Sequence, residues 1–170
     1  SNNMNGGKIS LIKNNEDGSN TYFSIARGYK QGGFNLGLDA TDSSVKESLI
    51  YDPEFLTNYE IGFSSKADEN FNYSSTIFYS KRNDQQVLIS KQVDPSDPNT
   101  FSFLTQNAAE GENYGLEISS NYSATDNLYI FANLGILKTK IINWESRADL
   151  ENRAQAHAPQ QTYSIGANLD

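Results

Sequence analysis

The sequence has no cysteine, which removes disulfides, thiolate metal sites and cysteine nucleophiles from consideration. It has a single histidine, His157, so neither a histidine-rich zinc site nor a two-histidine iron site can be assembled within its 170 residues. Cations are scarce as well. Thirteen Lys and Arg stand against 21 Asp and Glu, and a formal charge of -8 argues against nucleic acid as the main partner, because no basic field exists to neutralise phosphates. The apolar runs are only a few residues long, which excludes a transmembrane helix. No Arg-rich leader or signal-peptide core opens the chain, and its start at Ser1 points to processing or to a segment boundary. None of these absences excludes a membrane β-barrel, whose lipid-facing strand needs only about ten residues of alternating character.

Aromatic residues, in contrast, are plentiful. Only 36% of residues are hydrophobic, and ten Tyr with nine Phe supply most of the large apolar surface. A packed soluble core leans more on Leu, Val and Ile, so this profile predicts surfaces that are half apolar and half wet.

The alternation of residue types predicts strands. Lys8 to Lys13 and Thr21 to Tyr29 form a hairpin across Asn14–Ser19. From Thr57 to Lys66, Tyr59, Ile61 and Phe63 occupy one face, with Asn58, Glu60, Gly62 and Ser64 on the other. After the reversal at 67–70, Phe71, Tyr73, Ile77 and Tyr79 face one way, and Phe78 intrudes on the polar face. The pattern continues through Ile89, which implies an element of roughly twenty residues if Asn83-Asp84 does not break it, against five or six in ordinary strands. Phe101 to Leu104 resumes the pattern, Ala108 to Glu112 reads as irregular or bulged, and Tyr114, Leu116, Ile118 and Tyr122 continue it. Leu128, Ile130, Ala132, Leu134 and Ile136 form a stripe expected to be nearly buried on both sides at its beginning, and Gln160 to Leu169 is the last strand.

The connections alternate in length. Those at 14–19, 67–70 and 123–127 are short, whereas those at 30–56, 91–100 and 143–159 are longer, with a short helix possible in the last before Pro159. In an antiparallel meander this puts short turns at one end and long loops at the other, the asymmetry of outer-membrane barrels. The expected fold is all-β: long antiparallel hairpins forming part of a transmembrane β-barrel. A soluble sheet with one packed face would alternate in the same way, so a β-sandwich that binds carbohydrate or protein is the alternative.

The segment from Tyr22 to Asn35, with Arg27-Gly28-Tyr29-Lys30 followed by Gly32-Gly33-Phe34-Asn35, resembles the barrel of TonB-dependent outer-membrane receptors. Tyr51-Asp52-Pro53-Glu54, Asn58 to Gly62, Ile77-Phe78-Tyr79 with Asp84-Gln85-Gln86, and Asn107-Ala108-Ala109 leading to Gly111 through Glu117 are further matches. Their order looks like the late barrel region, over nearly the whole chain. The resemblance implies a place in the bacterial cell outer membrane in contact with its lipid, and uptake of a scarce small ligand such as a ferric siderophore. It also implies energisation by TonB through an N-terminal region absent from these residues. Residues 1–170 would then be a partial barrel domain without the plug and the remaining strands.

The resemblance implies no catalytic residue, cofactor or resident metal. Arg27, Tyr29 and Lys30 stand where a strand enters a long loop, and cation and aromatic chemistry there suits an anionic ligand. The plainer reading is that Arg27 pairs with a wall carboxylate and the tyrosine packs at an interface. Asp94 and Asp97 lack the oxygen series of a calcium loop and read as a turn. Glu60 and Glu117 read as residues of a wet face before they read as paired acids. The sequons at Asn72 and Asn121 fall on or beside strands, where such matches occur by chance.

Overall fold

The computed structural model describes residues 4–36, 38, 43–66, 68–92 and 96–169. Seven strands form one antiparallel sheet: β1 (Gly7–Asn14), β2 (Asn20–Lys30), β5 (Glu54–Lys66), β6 (Phe71–Gln92), β7 (Phe101–Thr125), β8 (Leu128–Asn143) and β9 (Gln161–Leu169). They lie side by side in that order, and β3 (Gly33–Phe34) pairs with β4 (Ile50–Tyr51) as a two-stranded ribbon in the loop between β2 and β5. Short 3-10 turns occupy Ser43–Ser48 and Glu145–Leu150, the second broken by a non-helical Arg147 and lying within the connection where a short helix was possible. The strands match the sequence pattern closely, and Asn83-Asp84 bends β6 without ending it. Registers shift between Arg82 and Gln86, and Asp84 adopts a φ of 54°. The irregularity expected at 108–112 is the partner side of that shift, within an unbroken 25-residue β7.

Residues opposite one another in register share a face, so side chains line up in rows across the sheet. One face carries Leu11, Phe23, Ile61, Ile77, Leu116 and Ile136 in a single row. Toward the short turns this apolar band ends at Tyr73, Phe71 and Tyr122, and toward the long loops at Tyr59, Tyr79 and Tyr114. The rings meet one another at the borders: Phe71 and Tyr73 stack at 5.8 Å between centroids, and Tyr59 lies 6.3 Å from Tyr79. From Phe71 to Tyr79 the strand runs roughly 27 Å, or roughly 20 Å across a layer crossed at a tilt of about 40°.

The opposite face is polar: Asn20, Ser64, Ser74, Ser119, Asn133 and Ser164 make one row, and Ala26, Asn58, Ser80, Asn113 and Thr139 another. It is also the more enclosed of the two. Ser24 is 1% exposed, while its neighbours Phe23 and Ile25 on the apolar face are 39% and 38% exposed. Ile61 and Ile77 are exposed at 56% and 62%. A soluble sheet would bury these side chains. The stripe on β8 follows the same rule: at its beginning Leu128, Ile130 and Phe131 are only half-buried and Tyr129 is 38% exposed rather than nearly buried on both sides, since no second layer covers them among the described residues.

Phe78 has a structural reason for standing on the polar face. It lies opposite Gly115, where a Cβ would meet its ring at 2.8 Å. Phe131 lies over Gly166 and Tyr22 over Gly62 in the same way. Each ring covers ladder that its glycine leaves bare, and each glycine gives the ring a flat seat. The Tyr22 hydroxyl then reaches Thr76 Oγ1 at 3.3 Å, one strand further on.

The short turns are held locally. Ser19 donates its backbone N–H and its hydroxyl to Asp17 Oδ1 at 2.9 and 2.7 Å, holding that carboxyl below its ordinary pKa, and Gly18 takes the positive φ of 79°. No helix among the described residues is long and apolar enough to cross a membrane, which leaves crossing by strands open.

Replacing Gly62 with Ala should destabilise the sheet by about 1–3 kcal/mol through overpacking against Tyr22. Truncating Tyr22 as well should relieve that clash, giving a coupling of at least about 0.5 kcal/mol in a double-mutant cycle. Urea unfolding of the complete protein in detergent measures it, and strict additivity would show that the ring does not sit on the glycine.

Candidate functional site

The segments at the long-loop end converge on one cluster. Glu54, at the start of β5, accepts the Gln86 backbone N–H at Oε2 (2.9 Å) and places Oε1 3.3 Å from Arg82 Nε. Glu54 and Arg82 are 13% and 32% exposed, so this pair is better shielded than the Lys81–Glu110 bridge at 43% and 40%. Both sit at the β6–β7 irregularity, where the wall of the sheet gives way to an extended two-stranded arm.

Three side-chain amides tie the loop after β2 onto that arm. Asn35 donates Nδ2 to the Thr105 carbonyl (2.8 Å) and accepts the Thr105 N–H at Oδ1 (2.7 Å), a bond pair that copies a strand ladder. The same Nδ2 reaches the Ser48 carbonyl at 2.7 Å. Asn107 treats Asp52 likewise, accepting its N–H at 2.6 Å and donating to its carbonyl at 2.7 Å, with a further bond to the Asp84 carbonyl. Gln86 Nε2 bonds the carbonyls of Gln31 and Asp52. Gly32 permits the close approach, because a Cβ there would come within 3.0 Å of Pro53 N and nearer still to the carbonyl of Tyr51. The arm and the loop hold the buried apolar side chains of the described residues: Leu104 at 2%, Ala109 at 5%, and Pro53. An open depression of about 480 Å³ is lined by Gln31, Phe34, Ile50, Tyr51 and Pro53.

The expected contact residues divide between the two faces. Arg27 and Tyr29 share the apolar face, and the Arg27 guanidinium lies 4.4 Å from the centroid of Phe55, a cation–π contact. Lys30 stands on the polar face opposite Glu54. The Glu54 carboxylate is engaged by Arg82 and Gln86, which leaves the exposed Lys30 ammonium directed to solvent.

Elsewhere on the polar face, Glu60 accepts from Asn58 Nδ2 (2.6 Å) and Ser24 Oγ (3.3 Å), while Ser80 donates to Asn58 (2.6 Å). Glu117 lies on the same face one row along and two strands over. Asp97 caps its turn by accepting the Asn99 N–H at 2.9 Å, and Asp94 lies outside the described residues. His157 is an exposed loop residue with a φ of 58°. Among the described residues, no group of three His, Asp or Glu is placed to hold a metal ion. Asn72 and Asn121 face each other within β6 and β7, and Asn121 accepts the Tyr129 hydroxyl at 2.6 Å.

The amides were missed by local reasoning. Asn35, Gln86 and Asn107 all lie in the receptor-like blocks, but their partners are up to 70 residues away. The geometry accords with comparison to known proteins. The profile described as "TonB dependent receptor-like, beta-barrel" matches residues 8–170. The chain belongs to that family. Among solved structures, it is similar to the ferric yersiniabactin uptake receptor FyuA from Yersinia pestis, at 17% identity and a TM-score of 0.73 over 96% of this chain and 22% of that one. It is also similar to the copper transporter OprC (13%, TM-score 0.68, 97% of this chain and 24% of that one). A third is the ferric-catecholate import receptor Fiu from K12 E. coli (13%, TM-score 0.64, 96% and 22%). At these identities the likeness is one of fold, and this member of the TonB-dependent receptor family spans less than a quarter of each neighbour's length.

Replacing Asn107 with Ala removes three hydrogen bonds and should loosen the 31–53 loop by about 1–3 kcal/mol. Limited proteolysis should then cut that loop at least tenfold faster, with the strands still protected. Unchanged cleavage would show that the amide does not hold the loop.

Proposed function

We propose that this chain forms part of the wall and outer loops of a bacterial outer-membrane receptor. It would take up a scarce ligand, preferentially a ferric siderophore, with energy relayed through TonB. Residues 1–170 are then a partial barrel domain, with the plug and the other strands supplied by the rest of the receptor. The observation that carries this reading is the inversion of the sheet: large apolar residues on the open face between two aromatic borders, and Ser, Asn and Glu on the enclosed face. In hydrocarbon every backbone donor and acceptor needs a partner, and a closed sheet provides one while its outward side chains meet lipid. Membership of a family of transport receptors supports the reading, as does the likeness in fold to FyuA, a ferric yersiniabactin uptake receptor, and Fiu, a ferric-catecholate import receptor. The work is binding and passage, with no covalent step.

Spin labels placed one at a time in the complete protein at positions 59, 61, 116 and 130 should sense hydrocarbon. Labels at 58, 60 and 117 should be reached by aqueous quenchers. Equal aqueous access at both sets would remove the membrane reading.

Of the three candidate contacts, Lys30 is the one on the polar face, and we assign it to attraction of an anionic ligand. Arg27 and Tyr29 instead brace the rim around Phe55. Lys30→Gln should weaken binding of a ferric catecholate probe by roughly two- to fivefold, the range of an exposed charge pair. A dissociation constant equal to that of the unaltered protein would return Lys30 to the solvated rim.

A further inference from the structure

Around Gly111 the polar face gathers hydrogen-bonding groups that the chain itself leaves unused. Gly111 lies opposite Arg82, one row nearer the long loops than Ser80, Asn113 and Thr139. The irregularity in β6 brings Gln85 to it. An unbroken register would set Gln85 with Tyr79 and Lys81 on the apolar face, but the bulge at Asp84 pairs it with Ala109, which shares the face of Gly111. Gln155 arrives from the other side. Ile141 accepts the Asn152 N–H at 2.8 Å and donates to the Arg153 carbonyl at 2.9 Å, and the Gln155 N–H bonds Thr139 Oγ1 at 2.8 Å, so the connection after β8 folds back along that strand. A Cβ on Gly111 would stand 2.7 Å from Gln155 Nε2 and 3.6 Å from Gln85 Oε1, so only glycine leaves room for the Gln155 amide. Among the described residues no hydrogen bond reaches either carboxamide. Arg82 Nε, although close to Glu54, and Asn113 Oδ1 are likewise buried without a hydrogen bond.

We propose that Arg82, Gln85, Asn113 and Gln155, with the ring of Phe78 below them, form a site for a neutral hydroxyl-bearing ring, the chemistry of a saccharide unit. The inference rests on the receptor reading above and adds a contact different in kind from the anionic one assigned to Lys30. Glu54 offsets the Arg82 charge and the other three polar groups are carboxamides, so the cluster is close to neutral. It offers donors and acceptors side by side. A ring hydroxyl donates and accepts, which satisfies both kinds at once, whereas an anion supplies only acceptors and leaves the Asn113 and Gln85 oxygens unmatched. Phe78 follows two residues before Ser80 with its ring seated on Gly115, and the C–H face of a sugar ring packs on such a surface. From Gly115 to Gly111 β7 rises roughly 14 Å, a span for two linked rings. The same hydroxyl chemistry comes from a free oligosaccharide or from a sugar carried on a ferric chelator.

The test is equilibrium binding of the complete receptor in detergent to a printed panel of neutral oligosaccharides, and to a ferric catecholate with and without a glucosyl group. Heat-modifiable migration checks barrel formation. Saturable binding of a neutral oligosaccharide marks a free saccharide as the source, and a glucosyl group that tightens the ferric probe at least about tenfold marks a sugar on the chelator. Gln85→Ala with Gln155→Ala should weaken whichever sugar contact is found by at least about tenfold, because the hydroxyls lose their partners. Gly111→Ala, which expels the Gln155 amide, should weaken it as well. A folded receptor that binds the ferric catecholate but gains nothing from the glucosyl group and holds no oligosaccharide shows that the unpaired groups hold ordered water only. That result overturns the inference and leaves the receptor reading intact, as does a folded double variant with unchanged sugar affinity. A folded receptor that binds none of the probes overturns this inference and the preference for a ferric ligand together.

Discussion

The backbone ladder is the constraint on which everything else in this chain depends. With Leu104, Ala109 and Pro53 as the buried apolar side chains among the described residues, hydrophobic burial within the chain cannot hold seven strands together. Pairing between neighbours does, and it leaves each strand two faces with different solvents. The large residues therefore sit on the open face, where lipid in place of water turns exposed isoleucine and leucine from a liability into a match.

The ladder must also be covered on the enclosed face, where small polar residues leave backbone bare. Rings over Gly62, Gly115 and Gly166 supply that cover without adding bulk to the wall. Hydrogen bonds among Ser80, Asn58, Glu60 and Ser24 bind the polar rows together, so the face is wet and ordered at once. These polar groups satisfy one another within the wall.

Beyond the bulge near Arg82 the architecture changes principle. The loop after β2 cannot join the sheet, yet its backbone groups still need partners. Side-chain amides of Asn35, Gln86 and Asn107 take the role that a neighbouring strand would play, and the Glu54–Arg82 pair braces the junction. Such a junction holds a long loop in one conformation without a neighbouring strand, which lowers the entropic cost of any contact made there.

Strand existence, the alternation of faces and the order of short and long connections were determined by the sequence itself, because a two-residue period is a local property that each strand carries alone. Pairing with β5 is what divided the candidate contacts, setting Lys30 opposite Glu54 and Tyr29 opposite Phe55. What only the tertiary structure decided was which residues meet: Phe78 upon Gly115, Arg27 over Phe55, and Asn35 against Thr105, 70 positions away. Register and bulges set those meetings, and both are fixed by pairing between distant segments, which no local pattern encodes.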